Sequence, residues 1–350
     1  MKRVYVVIVN WNGWADTIEC LESLFRLDYP DYRIIVCDNG STDDSFGRLV
    51  DWAEGRLAHV STPDFVSRHH QTAPPVKKPI KFQICNRAEA EAGGCFDADP
   101  PLVLIRAGEN LGFAGGNNIA LRYAMARDDF SHAWLLNNDT VVESGALQAL
   151  VERMSEKPSA GICGSTLALY DRPDQIQARA GGWYCRWIGL PWHLGQLGKV
   201  SQRPRVTRVE RWMNYVVGAS MLVSRDFLVD VGLMCEDYFL FFEETDWALR
   251  GGERFTLAYA PESVVYHKVG RSIGTSSDPR RKSPLCDYYA IRNRLRFTRR
   301  YFPEALPTVW LTVAMAVLVR LLLGRIDRAL MLLQLLLGRD VPPPEKVRVA

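Results

Sequence analysis

The sequence predicts an α/β fold: a mixed, mostly parallel sheet flanked by helices, followed by a helical C-terminal extension. Three observations predict it. Apolar, β-branched runs such as "VYVVIVN" (4–10) and "YRIIVC" (32–37) alternate with segments whose apolar residues recur at helical spacing, the rhythm of a parallel sheet with helices on its faces. Several of these runs stop abruptly on Asn, Asp or Ser, as strands do when their carboxyl ends carry a ligand site. The last part of the chain turns arginine-rich and then greasy, with "LPTVWLTVAMAVLVRLLLG" (306–324) broken only by Arg320.

In chain order, "VYVVIVN" reads as a strand buried on both faces. "WADTIECLESLFRL" sets Ile18, Leu21, Leu24 and Phe25 on one helical stripe. The second strand ends on Asp38-Asn39-Gly40-Ser41, and "STDDSFGRLVDWA" opens on capping residues and runs on as a helix. Residues 55–100 break the rhythm with "TAPPVKKP", "AEAEAGGCF" and "DADPP"; they read as an insertion carrying a short β-hairpin around "KKPIKFQICN". The pattern returns as strand, glycine-rich turn and helix in "LVLIRAGENLGFAGGNNIALRYAMA". Next come the strand "HAWLLNNDT", the helix "SGALQALVERM" and a further mixed-sheet region up to "SVVYHKVG".

Composition bounds the function. The 350 residues carry a net charge of +3, which calls for no nucleic-acid partner. Eight cysteines form no C-x-x-C pair, disfavouring a zinc ribbon or a thioredoxin-like site. "MKRVYVVIVNWNGW" runs straight from apolar to polar and reads as a first strand, so cytosolic, reduced thiols are expected. His69 and His70 read as solvated loop residues, with no third ligand nearby in sequence.

Three strand ends offer polar groups: Asn10-Trp11-Asn12, Asp38-Asn39 and Asn137-Asn138-Asp139. In a parallel sheet they share one edge and can converge. Asp38 suits a pyrimidine N–H or ribose hydroxyls. The glycines at 112, 115 and 116 let backbone approach a ligand, but in neither G-x-G-x-x-G nor Walker A spacing. Asp139 suits a hard cation, which takes one or two carboxylates plus substrate phosphates, with Asn138 on ribose or phosphate. In "YFLFFEETDWALRGG" (238–252), Glu243, Glu244 and Asp246 follow four aromatics, a setting for a raised pKa and a general base. On a helix Glu243 and Asp246 face together. The plainer alternative is an acidic first turn with Asp246 paired to Arg250. His267 ends another apolar strand, as a ligand or as a satisfied edge residue.

Taken together, "VIVNWNG", "VCDNGSTDDS", "ENLGFAGGNN", "LLNNDT" and "YFLFFEETDWALR…YHKVGRS" resemble the inverting family 2 glycosyltransferases of GT-A fold, and in particular their bacterial rhamnosyltransferase-like branch. The resemblance implies a GT-A domain over 1–290, with a nucleotide-binding half (1–140) and an acceptor half (141–290), and a helical region over 291–350. It implies that Val9, Asn10 and Asn12 cup the nucleotide, Asp38 reads a uracil or thymine ring, and Asn110 and Asn117 border base and ribose. The family's D-x-D-like element falls on Asn137-Asn138-Asp139, leaving Asp139 as its one carboxylate ligand for Mg²⁺ or Mn²⁺, with His267 completing the site. The base would be Glu244 or Glu243, with Glu244 favoured and Asp246 structuring the acceptor pocket. The implied reaction is a single displacement from a UDP- or dTDP-sugar, dTDP-rhamnose among them, to a saccharide or polyprenyl-diphosphate-linked acceptor in surface-polysaccharide synthesis. A non-catalytic carbohydrate-binding scaffold on the same fold is disfavoured by Asp139, Glu244 and His267. A sugar nucleotidyltransferase is disfavoured because "VNWNGW" stands where its glycine-rich loop would be.

"SPLCDYYAIRNRLRFTRRYFPEAL" (283–306) resembles the family's Tyr-Tyr-x-x-Arg-Asn element, and its arginines suit a diphosphate or an anionic surface. The 306–324 run is borderline for a membrane span. The expectation is helices lying in or against the cytoplasmic leaflet of the inner membrane, with Arg320 snorkelling. A helical pair packed on the core or across a homodimer interface is the alternative.

Overall fold

The structure is a computed structural model that describes residues 3–57, 69–95, 97, 99–269, 282–339 and 341–344; the side chains of His69 and His70, and the start of the basic stretch "DPRRKS" (278–283), lie outside them. The first half runs β1 (Val4–Asn10), α1 (Trp14–Leu24), β2 (Tyr32–Asp38), α2 (Ser45–Glu54), α3 (His69–Thr72), β3 (Phe82–Asn86), α4 (Arg87–Glu91), β4 (Leu102–Arg106), α5 (Gly112–Arg127) and β5 (His132–Asn137). There follow β6 (Thr140–Val142), α6 (Ala146–Glu156), β7 (Ala160–Leu169), β8 (Ile176–Arg179), β9 (Gly181–Cys185), β10 (Leu190–His193), α7 (Val206–Trp212), β11 (Tyr215–Val216), β12 (Ser220–Ser224), α8 (Arg225–Val231), α9 (Glu243–Gly251) and β13 (Thr256–His267). The chain closes on α10 (Pro284–Tyr301), α11 (Leu306–Leu322) and α12 (Ile326–Leu336).

The strands form one sheet in the order β10-β9-β8-β7-β12-β5-β1-β2-β4-β3. From β3 to β5 all neighbours are parallel; β12 then pairs antiparallel with both β5 and β7. Alternation along β1 feeds two cores: Val4, Val6 and Ile8 pack with Trp52 and Trp134 on one face, and Tyr5 and Val7 with Tyr123 and Trp247 on the other. Register levels the strand ends, Val9 beside Asn137, Asn10 beside Asp38 and Asp38 beside Arg106. The antiparallel pair of β6 with β13 sets His267 opposite Thr140, one residue from Asp139.

Two expectations are corrected. No hairpin forms around "KKPIKFQICN": Phe82–Asn86 is a single edge strand, parallel to β4. Pro74, Pro75 and Pro79 lie upstream, where a second strand would need amide donors. The division at 290/291 falls inside α10, which starts at Pro284 behind the cap of Ser283 on the Cys286 amide.

The last three helices form their own apolar cluster. Val309, Val313 and Val317 of α11 meet Ala329, Leu332 and Leu335 of α12, while Leu311, Met315, Leu318 and Leu322 are left exposed. Arg320 does not snorkel. It is buried, with Nη2 2.7 Å from Asp287 Oδ1 and Nε 3.3 Å from Oδ2, since a bidentate carboxylate lies within reach inside.

Asp246 joins this extension to the sheet domain. Its carboxylate is fully buried and accepts from Tyr301 Oη of α10 at 2.6 Å, Tyr238 Oη at 3.2 Å and Arg250 Nε at 2.8 Å; Arg300 Nη1 stands at 3.5 Å. Truncation would strand these donors around a void. Asp246→Ala is expected to lower unfolding free energy by roughly 3 kcal/mol, read from the urea midpoint at unchanged slope.

Candidate active site

The levelled strand ends carry buried polar side chains that find partners in one another. Asn138 Nδ2 donates to Thr17 Oγ1 at 3.0 Å, Thr17 to Asn10 Oδ1 at 2.8 Å, and Asn10 Nδ2 to Asp38 Oδ1 at 2.7 Å. Ser41 Oγ, at 2.6 Å, also serves Asp38. Asn12, at φ 51°, accepts the Thr42 amide at 2.8 Å, tying the loop after β1 to the loop after β2. Asn138, at one end of this network, lines a cavity of about 850 Å³.

Asp139 and His267 sit together on its wall, both buried. His267 Nδ1 lies 2.9 Å from Gln177 Oε1, an acceptor, so Nδ1 carries the hydrogen. Nε2 then faces Asp139 Oδ1 at 3.1 Å, with the Asn137 amide nitrogen at the edge of hydrogen-bonding range, 3.4 Å away. Two acceptors so close need a proton or a cation between them. Burial works to raise the Asp139 carboxyl, but the charge and hydrogen bond of a protonated His267, with Lys268 behind, hold it below the usual carboxylate range. A hard cation bound to both atoms would replace that proton, and 3.1 Å is close to the ~3 Å edge between adjacent ligands at ~2.1 Å in an octahedral shell. The donor set therefore fits a divalent cation, with two protein ligands and the remainder from elsewhere. Among the described residues no cluster of three or more His, Cys, Asp or Glu surrounds a metal-sized site.

Opposite, Glu243 and Glu244 open α9 onto the same cavity. The helix dipole favours their charged forms, but burial outweighs it. Burial and the Glu244 charge drive the Glu243 carboxyl well up, and burial pushes Glu244 up to about 7. Oε2 of each is buried with no partner among the described residues. Ahead of them Phe239, Phe241 and Phe242 hold φ of 61°, 68° and 76°, strained values for aromatic residues. Asn293 of α10 fixes that loop, its Nδ2 lying 2.7 Å from the carbonyls of Tyr238 and Leu240 and 3.2 Å from that of Phe241. The glycine-rich turn meets the loop from the other side. Phe113 N donates to Phe239 O at 2.8 Å, and a Cβ on Gly112, at φ 73°, would stand 2.2 Å from the same oxygen.

Of the residues singled out in sequence, Val9, Asn110, Asn138, Asp139, Glu243, Glu244 and His267 line this one cavity. Asn10, Asn12, Asp38 and Asn117 do not: Asn12 is exposed, and the other three are buried off the lining, Asn117 donating to Phe113 O within its own helix at 2.9 Å. Nor does Asp246, whose side chain turns to α10 and takes Arg250 as the plainer reading expected. Glu243 and Asp246 are thus not partners at the site, because only the first three residues of α9, Glu243, Glu244 and Thr245, reach the cavity. Sequence reading passed over Gln177, Tyr215 and His193, all on the lining, and nothing in the chain marks them. Asn39, from the polar end of β2, and Arg294, from the arginine-rich stretch, line it too. Asn39 accepts the Leu111 amide at 3.1 Å and donates to Gly112 O at 2.9 Å.

Comparison with known proteins fits this geometry. The family model "Glycosyl transferase family 2" matches residues 5–63 and 86–222, more than half of the chain. An N-acetylglucosaminyl-diphospho-decaprenol L-rhamnosyltransferase of Mycobacterium tuberculosis is 27% identical over 188 residues, 50% of this chain and 61% of that protein. The chain thus matches about three fifths of that relative's length. Among solved structures, the mannosyltransferase PcManGT from Pyrobaculum calidifontis, in complex with GDP-Man and Mn²⁺, aligns with TM-score 0.51 at 15% identity, over 96% of this chain and 86% of its own. GalNAc-T7 with UDP, GalNAc and Mn²⁺ aligns with TM-score 0.55 at 14% identity, over 91% and 51%. The fold is GT-A, and the chain belongs to glycosyl transferase family 2.

Proposed function

We propose that this transferase moves a sugar from a dTDP- or UDP-sugar, dTDP-rhamnose first among them, to a saccharide carried on a polyprenyl diphosphate. The observation that carries the proposal is the single cavity in which Asp139 and His267 face the Glu243–Glu244 pair. The rhamnosyltransferase similarity supports the sugar and the lipid-linked acceptor.

In this reading Asp139 and His267 hold Mg²⁺ or Mn²⁺, which when bound offsets the negative charge gathering on the departing nucleoside diphosphate. Val9, Asn110 and Asn138 border the nucleotide, with Asp38 and Asn10 bracing them from behind. Glu244 takes the proton of the acceptor hydroxyl as that oxygen attacks the sugar C1 from the face opposite the nucleotide. A carboxyl near 7 suits this, being half ionised at neutral pH and more basic than an ordinary glutamate. Glu243, more strongly raised, stays protonated beside it. Tyr215, whose hydroxyl burial and the Glu244 charge keep protonated, lines the same wall.

The helical extension suits a membrane surface. Pro303–Leu322 is long and apolar enough to cross a bilayer, by length and composition. One side of it is packed on protein, though, and Arg320 is committed to Asp287, which supports a helix lying in the interface with its exposed leucines in lipid. The enzyme would then work at the cytoplasmic face, with no second copy required.

Glu244→Gln is expected to lower kcat by about 10²–10⁴-fold with donor affinity kept. Wild-type transfer should climb with pH through about 7, not the ordinary 4.5. A Gln variant turning over normally would remove the base assignment. The raised carboxyl also works against stability at high pH. The native state keeps a proton the unfolded chain has lost, so stability falls as pH rises from about 4.5 through about 7. At pH 8 Glu244→Gln should therefore unfold at a higher temperature than wild type. Asp139→Ala is expected to abolish transfer and to make nucleotide-sugar binding, measured by thermal shift, indifferent to added Mn²⁺. Leu311→Glu with Leu318→Glu should cut sedimentation with phosphatidylglycerol vesicles several-fold; equal sedimentation would sink the interfacial reading.

A further inference from the structure

The cavity continues past the glutamates to a wall built by α10 and α11, where its lining includes Lys282, Arg294 and Arg320. Asp287 lies at the centre of this wall. Arg320 grips it with both nitrogens, Lys282 Nζ stands 3.7 Å from Oδ1 and Arg328 Nη1 3.8 Å from Oδ2. Among the described residues three cations stand against this one carboxylate, two positive charges in surplus. Arg294, two turns along α10, adds a third. It is 3% exposed; its Nη2 serves Ile188 O and Thr312 Oγ1, while its buried Nε has no partner among the described residues. Burial lowers the Lys282 amine and brings Arg294 down to about 10, as for charges that are incompletely compensated. Uncompensated charge of this kind is unfavourable in a protein interior unless an anion completes the site.

The same helix leads outward to hydrocarbon-like surface. Thr312, Met315, Ala316 and Val319 line the cavity beside Arg320, and Met315 is also 58% exposed. Met315 therefore stands at the rim, where the exposed stripe of Leu311, Leu318 and Leu322 begins. A ligand that joins a strong anion to an apolar chain matches both surfaces at once.

We propose that Lys282, Arg294 and Arg320 form the subsite for the diphosphate of a polyprenyl-linked acceptor, with the hydrocarbon chain leaving over Met315 onto the exposed face of α11. This rests on the lipid-linked reading above and assigns it residues. The geometry separates two diphosphates: the donor's beside Asp139 and His267, the acceptor's beside α10 and α11. The saccharide of the acceptor would then reach toward Glu244 from the helical side.

The test uses the full chain and geranyl diphosphate as probe, followed by calorimetry, with geraniol, inorganic pyrophosphate, UDP and phosphatidylglycerol vesicles as separate arms. Geranyl diphosphate should bind the wild type at least tenfold tighter than geraniol or pyrophosphate. Lys282→Gln should weaken it about tenfold or more, and Arg294→Gln further, with Arg294→Lys recovering part of the loss. Lys282 is partly exposed, so its variant remains informative should the Arg294 variants fail to fold. Unchanged geranyl diphosphate affinity in folded Lys282→Gln would overturn the proposal. So would a loss confined to UDP, which would make this the donor's site, or a loss confined to vesicles, which would make it a headgroup contact. A wild type that turns over no dTDP- or UDP-sugar would end the transferase reading while leaving a Lys282-dependent geranyl diphosphate site in place.

Discussion

A polar side chain at the buried end of a strand must find a partner or forfeit the free energy of leaving water. At the carboxyl ends of β1, β2 and β5 that requirement is met collectively, by the run from Asn138 through Thr17 and Asn10 to Asp38 and Ser41. Each member orients the next. The strands can hold these groups level only because their register is locked by apolar residues on both faces. The position of Asp139 on the cavity wall follows from that register, as does that of His267 through the pairing of β13 with β6.

The opposite wall is held by different physics. Three phenylalanines in left-handed conformation store strain, offset by the carboxamide of Asn293 on their carbonyls and by the amide of Phe113 on Phe239. The glycine-rich turn thus has a second role besides nearness to a ligand: only a residue without a Cβ lets α5 come against the aromatic loop at Gly112. The glycine-rich turn and the aromatic loop ahead of the acidic pair touch there, so neither can shift without the other.

Much of this was legible in the chain. Alternating and continuous apolar runs located the strands, and the polar residues that end them located Asn138, Asp139 and His267. What the sequence could not disclose were partners far along the chain. Asp246 was grouped with Glu243 by helical phase, but its real neighbours, Tyr301 and Arg300, lie more than fifty residues on. Arg320 was expected to seek water; Asp287, 33 residues earlier, makes burial the better state. Gln177, which sets the tautomer of His267, sits in a short strand with nothing to mark it. The resemblance sets Asn10 and Asp38 against the nucleotide; neither lines the cavity, and a one-dimensional pattern does not separate a residue facing a cavity from one buried beside it.

The carboxylate of Asp246 acts as a mechanical joint. It rivets the first helix of the acidic wall to the helix on which the greasy extension is mounted, with Tyr238 and Tyr301 closing over the joint. The joint is fully buried and held by three donors at once. Any tilt imposed on the outer helices is therefore carried, lever-fashion, into the helix that sets Glu243 and Glu244 on the cavity.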